Sequence, residues 1–404
     1  MILPLDALET ILQHVKPTGE EKLPLFEATG RVVSRTAVSM LNLPPMDNAA
    51  MDGYALRFED IREIPATLKI KGTIKAGDRT EGLRVEKGEC YRIMTGAFIP
   101  EGADTVVEFE AAREEGDRVT ILKQKKRASN VRFKGEDIKK GDPIDFIGEP
   151  INPYRLSRLI STGNTLIDVY RKPTVCVIAT GNELAYPGYQ SELSTVDSNS
   201  FFIKSLLKSE LDIDIAYLGI VSDEPEKLIK TLNQAAAYDV IITTAGISFG
   251  DYDVVTNVEK KVGINWSFKY VKQKPGKPFA FGTLKDSLIF SFPGNPVSTA
   301  FCSFFYLIPA LKKMMGYRDH THRHIEATLT EDVKKNNDRV HFNRVRVELK
   351  EDTFYATPYE TQGSNIIESI ARCNGFAMID ADKVGIIKKG SRVKVFLYDF
   401  GSVF

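Results

Sequence analysis

The stretch Val240-Ile241-Ile242-Thr243-Thr244-Ala245-Gly246-Ile247-Ser248-Phe249-Gly250-Asp251-Tyr252-Asp253 changes character along its length. It opens as a short apolar strand, Val240–Thr243, passes through a loop carrying two glycines and two acids, and runs into helical spacing over Val254–Val262. An apolar run ending in such a loop and a helix is the βα unit of a parallel sheet. Working outward, the same alternation repeats. Val175–Ala179 reads as a strand, and Ser198 as the cap of a helix that carries Phe202, Ile203, Leu206 and Leu207. Ile213–Leu218 follows as a strand, Glu226–Ala236 as a helix, Leu288–Phe292 as a strand and Val297–Met315 as a long apolar helix. The pattern predicts a three-layer α/β/α domain over residues 171–318, with ligands at the carboxyl ends of its strands.

Beyond this domain the texture is β-rich. Runs such as Thr67–Ile70, Cys90–Met94, Thr105–Phe109 and Arg118–Leu122 predict an inserted β-rich domain over residues 41–137. The opening helix shows Leu5, Leu8, Ile11, Leu12 and Val15 at helical spacing. It is grouped, as residues 1–40, with residues 138–170 in an N-terminal helical and linker domain. Ile325–Leu329, Val345–Leu349, Ala377–Ile379 and Val393–Tyr398 predict a small barrel or sandwich over 319–404. The expected fold class is therefore multi-domain α/β plus β, with a C-terminal β-barrel-like domain.

Four loops follow strands and lead into helices: Thr180–Leu184, Val221–Pro225, Ala245–Asp253 and Pro293–Pro296. Backbone N–H groups at helix starts favour anions, and glycines at 246, 250 and 294 admit a ligand close to the backbone. One such loop is ordinary turn chemistry; four at one sheet edge point to a site. Between them Lys272-Gln273-Lys274-Pro275-Gly276-Lys277-Pro278 forms a stiffened turn, where Lys274 and Lys277 converge on an oxyanion or stand as a solvated basic hairpin. The acids Glu183, Asp223, Asp251 and Asp253 at the same rim suit a hard divalent cation such as Mg2+, shared with phosphates.

Lys plus Arg and Asp plus Glu both total 54, so no basic excess marks a nucleic-acid binder. Four dispersed cysteines without CxxC spacing read as buried thiols of a reducing cytoplasm. No basic-then-apolar leader is visible, and no apolar stretch reaches the roughly 20 residues of a membrane span. His320, His322 and His324 alternate and would share one strand face, but without a fourth ligand in view they read as an inter-domain linker. Trp266 reads as a core residue at the start of a strand.

Three passages resist pattern rules: Asn42–Ala55, Met94–Ala97 with Pro100–Asp104, and Asn130–Asp137. Together with the loops above they resemble the molybdopterin molybdenumtransferase (MoeA) family, whose module also forms the C-terminal part of gephyrin. The resemblance runs through Asp47–Ala55, Met94–Ala97, Gly135–Asp137, Thr180–Leu184, Asp197–Ser200, Gly250–Asp253, and Lys274–Phe279 with Pro293–Pro296. It implies a cytoplasmic, Mg2+-dependent enzyme that reacts adenylylated molybdopterin with molybdate, releasing AMP, as a homodimer with four domains per subunit. By motif position it assigns catalysis to Asp52, Glu183, Asp223 and Asp253, the last three also holding Mg2+. Thr95, Arg132, Asp137, Ser248, Gly250, Lys274, Lys277, Pro293, Asn295 and Pro296 are assigned to substrate and anion binding. Asp52, Thr95 and Arg132 would act on the partner subunit's α/β domain, and a transient contact with a molybdopterin adenylyltransferase is a further expectation.

Two departures stand out. The family's third loop usually reads Ser-Gly-Gly-Val, where this chain has Thr244-Ala245-Gly246-Ile247, and Lys272 replaces a small or apolar residue. Two other functions remain on the same fold: a scaffold that anchors receptors, and an adenylyltransferase-type activity of the α/β domain. The first lacks the added adenylyltransferase domain and linker that accompany it. The second does not use the motifs before residue 170.

Overall fold

The computed structural model describes residues 1–222, 224–245, 254–399 and 401. The chain divides into two units, one of residues 1–21, 148–150 and 170–404, the other of residues 22–147 and 151–169.

In the first unit the central sheet is built from β1 (Val175–Thr180), β2 (Ile215–Val221), β3 (Val240–Thr244), β4 (Ile264–Phe268), β5 (Ala280–Leu284) and β6 (Ser287–Phe292). Its order is β2-β1-β3-β6-β5-β4. The first four strands are parallel, and β5 runs antiparallel to both β6 and β4. β1, β3 and β6 are buried along their whole length. Strands covered on both faces are mostly apolar, and the few polar side chains they carry are hydrogen-bonded, as Thr243 is to Ser291. The helices are α1 (Ser198–Leu211), α2 (Pro225–Ala235) and α3 (Val254–Val262). Pro225 starts α2, whose Leu228, Leu232 and Ala235 form one stripe against Cys176, Ile178, Ile241 and Ile289. The opposite face takes α1 and the helical run 296–314, where Tyr306 stacks on Phe279 with ring centroids 4.7 Å apart.

The long helix expected at Val297–Met315 is interrupted. Pro296–Cys302 and Ile308–Met314 are α-helical, and Ser303–Leu307 between them is a π-helical turn. The cap of α1 is Asp197 rather than Ser198, its carboxylate accepting the Ser200 N–H at 3.1 Å. Trp266 sits half-buried on edge strand β4 and donates to Glu259 at 2.7 Å. The opening helix Pro4–His14 belongs to this unit, although the sequence grouped it with residues 138–170. It packs against Ile308–Met314, and Lys313 Nζ donates to Leu12 O at 2.6 Å.

The C-terminal strands close into a barrel. Val340–Lys350 pairs with Thr353–Pro358, which leads through Ile325–Leu329, Arg392–Leu397 and Gly375–Ile379 back to Val340–Lys350. Gln273–Lys274 adds one more strand, parallel to Val340–His341. The alternating histidines serve packing: His322 stacks on Phe304 at 4.0 Å, and its Nε2 lies 2.6 Å from Phe304 O.

The second unit holds a six-stranded sheet ordered Thr105–Glu108, Gly53–Leu56, Glu89–Ile93, Ala66–Ile74, Arg118–Ile121, Ala112–Glu115. Gly53 is obligatory there, because a Cβ would lie 2.0 Å from Val107 O. A separate core, with Val33, Ile144, Leu159 and Val169, gathers the flanking segments.

Candidate functional site

In the first unit the carboxyl edge of the parallel strands borders a cleft of about 480 Å³. Its walls include Glu183, Asp197, Asn199 and Ala245, with Pro293–Pro296. The sequence shapes each wall locally. Gly181 has φ +141°, and a Cβ on it would lie 2.7 Å from both Glu183 carboxylate oxygens, so only glycine lets Glu183 fold back over its own loop. Glu183 O accepts Thr195 N at 2.8 Å, which holds Leu184–Ala185 parallel to Thr195–Val196. Asn199 Nδ2 donates to Gly294 O at 2.7 Å, and Thr299 Oγ1 to Pro293 O at 2.6 Å, fixing the Pro293–Pro296 loop from two helices. Asp197 is buried and accepts from Tyr217 OH at 3.1 Å. Burial, then the Asp197 charge, raises the Tyr217 hydroxyl pKa, so it stays a donor.

The lysine hairpin borders this cleft through Pro278. Val271 N donates to Lys277 O at 3.0 Å to close the turn, and Gly276 takes φ +81°. Pairing with the barrel sets Lys274 beside basic residues that sequence reading missed. Burial, then the charges of Arg339 and Arg344, lowers the Lys274 pKa below its ordinary value. Arg344 is 1% exposed, and burial brings it down to about 10. Its guanidinium donates to Ser369 Oγ at 3.0 Å, Thr361 O at 3.0 Å and Gly363 O at 2.9 Å, all neutral acceptors. The same segment reaches the helix after β6, where Val297 N donates to Ser364 O at 3.1 Å. Neutral acceptors hold the Arg344 cation without cancelling its charge, and that charge is felt at Lys274. Positive charge therefore gathers at the lysine hairpin rather than in the lining of the cleft, which carries Glu183 and Asp197. Two signals for it were present: Arg344 inside an apolar strand pattern, and the turn residues Gln362-Gly363-Ser364.

Asp223, Ser248, Gly250 and Asp253 lie outside the described residues, as do Gly246 and Asp251. Among the described residues no three His, Cys, Asp or Glu side chains group as a metal site. Glu183 supplies an exposed carboxylate at the cleft, a donor type that suits Mg2+, which keeps several waters and needs only one or two carboxylates.

In the second unit three of the passages that resisted pattern rules interlock. Ala49 N donates to Ala97 O at 2.9 Å and Ala50 N to Asn130 O at 2.9 Å, while Val131–Arg132 pairs with Asn48–Ala49. Asp47 accepts the Lys134 N–H at 2.7 Å. This brings Asp52, Thr95 and Arg132 onto one exposed rim. The Asp52 carboxylate accepts both Thr95 N and Thr95 Oγ1 at 2.7 Å, and these bonds, the backbone one first, lower its pKa. Asp137 is ion-paired with Arg158 instead of pointing out alone.

With this geometry in hand, comparisons with known proteins are specific. Residues 4–163 match the MoeA N-terminal region (domain I and II), 176–313 a probable molybdopterin binding domain, and 326–398 the MoeA C-terminal region (domain IV). The molybdopterin molybdenumtransferase of Haemophilus influenzae is 34% identical over 385 residues, covering 94% of each chain. That of Staphylococcus epidermidis is 32% identical over 409 residues, covering 99% of this chain and 97% of its own. The crystal structure of the molybdopterin biosynthesis moeA protein from Pyrococcus horikoshii OT3 superposes with a TM-score of 0.83 at 28% identity, covering 98% of this chain and all (100%) of that one.

Proposed function

The chain belongs to the molybdopterin molybdenumtransferase family, and we propose that it inserts molybdenum into adenylylated molybdopterin, consuming molybdate and releasing AMP. The observation that carries this reading is the cleft at the carboxyl edge of the sheet, walled by Glu183, Asn199 and Pro293–Pro296 and bordered through Pro278 by the hairpin that carries Lys274 and Lys277. Molybdate and the phosphoanhydride of the substrate are both anions. They repel each other in solution, so a site that joins them must offset that charge. Lys274 and Lys277 on the hairpin do so from one side, and Asn295 with the Pro293–Pro296 loop confines the substrate from the other.

Mg2+ would be held by Glu183 with Asp223 and Asp253, and when bound it supplies Lewis-acid polarisation of the phosphoryl oxygens. The molybdenum ends on the substrate's dithiolene sulfurs, soft ligands the protein has no need to provide. This agrees with four cysteines that are all buried and free. Among the described residues no helix is long and apolar enough to cross a membrane, and a cytoplasmic setting suits reduced thiols.

The rim of the second unit completes the site from a partner subunit in a homodimer, with Asp52, Thr95 and Arg132 over the partner's cleft. The exposed apolar side chains of Met46, Met51 and Phe133, 47%, 45% and 50% accessible, lie on the segments that carry Asp52 and Arg132 and support a covered surface there. A transient contact with a molybdopterin adenylyltransferase would deliver the adenylylated substrate.

The test supplies adenylylated molybdopterin, molybdate and Mg2+ and follows AMP and active cofactor together. Appearance of both, with a raised molybdate requirement in Lys274→Ala, supports the reading. AMP release that is indifferent to molybdate would overturn it.

A further inference from the structure

Gln273 stands immediately before Lys274, and its side chain is wholly buried (0% exposed) among apolar neighbours. A primary amide in such a place must satisfy both ends or cost stability. Its Nε2 donates to Gly276 O at 3.0 Å and approaches Cys302 Sγ at 3.8 Å. Its Oε1 accepts from the hydroxyl of Tyr306, itself wholly buried (0% exposed). Tyr306 comes from the π-helical turn Ser303–Leu307 that interrupts the long helix, and its ring is clamped by stacking on Phe279. π turns within α-helices frequently mark functional positions.

The geometry of this chain of bonds is directional. The backbone of Gln273 pairs with Val340 of the barrel, while its side chain closes on the carbonyl of Gly276. One amide thus ties the residue before Lys274 to the residue before Lys277. Space at the turn is tight as well, since a Cβ on Gly276 would meet Cys302 Sγ at 2.8 Å and Gln273 Nε2 at 3.0 Å. We propose that Tyr306 and Gln273 are positioning residues for oxyanion binding, fixing the spacing of Lys274 and Lys277 from inside the core. The inference rests on the reading of that hairpin as the oxyanion site. A buried, fully satisfied polar chain rigidifies what it touches, whereas an apolar pair of the same volume would fill the space without setting the turn. Burial raises the pKa of the Tyr306 hydroxyl well above its ordinary value, so it remains a donor.

The experiment titrates molybdate alone into the full-length protein by calorimetry, with thermal melts in parallel. Tyr306→Phe and Gln273→Leu are each expected to weaken molybdate binding about 5–10-fold, the scale of one buried hydrogen bond. The double variant is expected to be no weaker than Gln273→Leu, because both act through one path. Phe304→Leu, which loosens the same helical run through its packing on His322 and Phe376, serves as the stability control. It is expected to lower the melting temperature while leaving the affinity within about twofold. The proposal is overturned if Tyr306→Phe binds molybdate as the unmodified protein does, if the two substitutions add, or if affinity tracks melting temperature in Phe304→Leu. Lys274→Ala separates the two levels. Unchanged affinity there removes the oxyanion reading and this inference with it, whereas lost affinity there with none in Tyr306→Phe removes the positioning role alone.

Discussion

Ala245 holds a left-handed backbone at φ +68°, and its methyl lies 3.3 Å from where a Cβ on Gly294 would stand. Both residues line the cleft at the ends of adjacent strands, and Ala245 N donates to Phe292 O at 3.0 Å. Alanine in this region costs roughly 1–2 kcal/mol that glycine avoids. Glycine gives back part of that through unfolded-state entropy. Ala245→Gly is therefore expected to stabilise by up to about 1 kcal/mol and to tighten substrate binding, as the methyl that narrows the cleft is removed. Gly294→Ala is expected to do the reverse. Melts and substrate titrations of the two variants check the pair, and a destabilised Ala245→Gly would show that the methyl's packing outweighs its strain.

Much of the α/β domain was legible because β1, β3 and β6, buried on both faces, are mostly apolar and end in loops rich in small and polar residues. The candidate site was legible only where its residues sit in such loops, as Glu183 and Pro293–Pro296 do. The basic half was hidden for a physical reason. Arg344 lies inside a strand, and only the pairing of Gln273–Lys274 with Val340–His341, contacts far apart in sequence, brings it to Lys274. The same holds for the opening helix. Its amphipathic spacing marks Ile11 and Val15, which are buried, but it also marks Leu5, which is exposed, misses the buried Ala7, and does not show that Ile308–Met314 is what packs on the helix. Likewise the π turn that presents Tyr306 leaves the apolar spacing of a continuous helix intact.

The Asp52 carboxylate is oriented by Thr95 through two bonds and is otherwise exposed. Asp52→Asn is expected to lower turnover about 100-fold, the scale of one preorganised polar group. Melting should be unaffected within about 0.5 kcal/mol, as for other exposed positions. Because the Thr95 bonds depress the Asp52 pKa, Thr95→Val should let it climb toward its ordinary 3.8. The acid limb of the pH–rate profile then moves to higher pH, and an unmoved limb would detach Asp52 from the rate.

His322 tests acid stability. Burial, first among its influences, lowers its pKa from 6.5 to about 4, so the folded state resists a proton that the unfolded chain accepts. Between pH 6.5 and 4 the unfolded state binds more protons, and stability falls as pH falls through that window. The loss should be roughly 2–3 kcal/mol. His322→Phe keeps a ring against Phe304 but gives up the contact to Phe304 O, so it should be less stable at pH 7 yet fall less steeply toward pH 4.5. Equal slopes in the two melts would assign the acid sensitivity elsewhere.

Lys274 makes oxyanion affinity depend on alkaline pH. It must be charged to hold an anion, but burial and the neighbouring Arg339 and Arg344 charges lower its pKa below 10.5. Molybdate affinity should therefore begin to fall at a pH lower than an ordinary lysine would allow, as Lys274 gives up its proton. Arg339→Gln removes one repelling charge. It should weaken binding at pH 8 by about 3–10-fold, the effect of one partly exposed cation. It should also shift the alkaline limb upward, since Lys274 then keeps its proton longer. The two effects have opposite signs, which separates this account from a general loss of positive charge. If the limb stays in place or moves down in Arg339→Gln, the group titrating there is not Lys274.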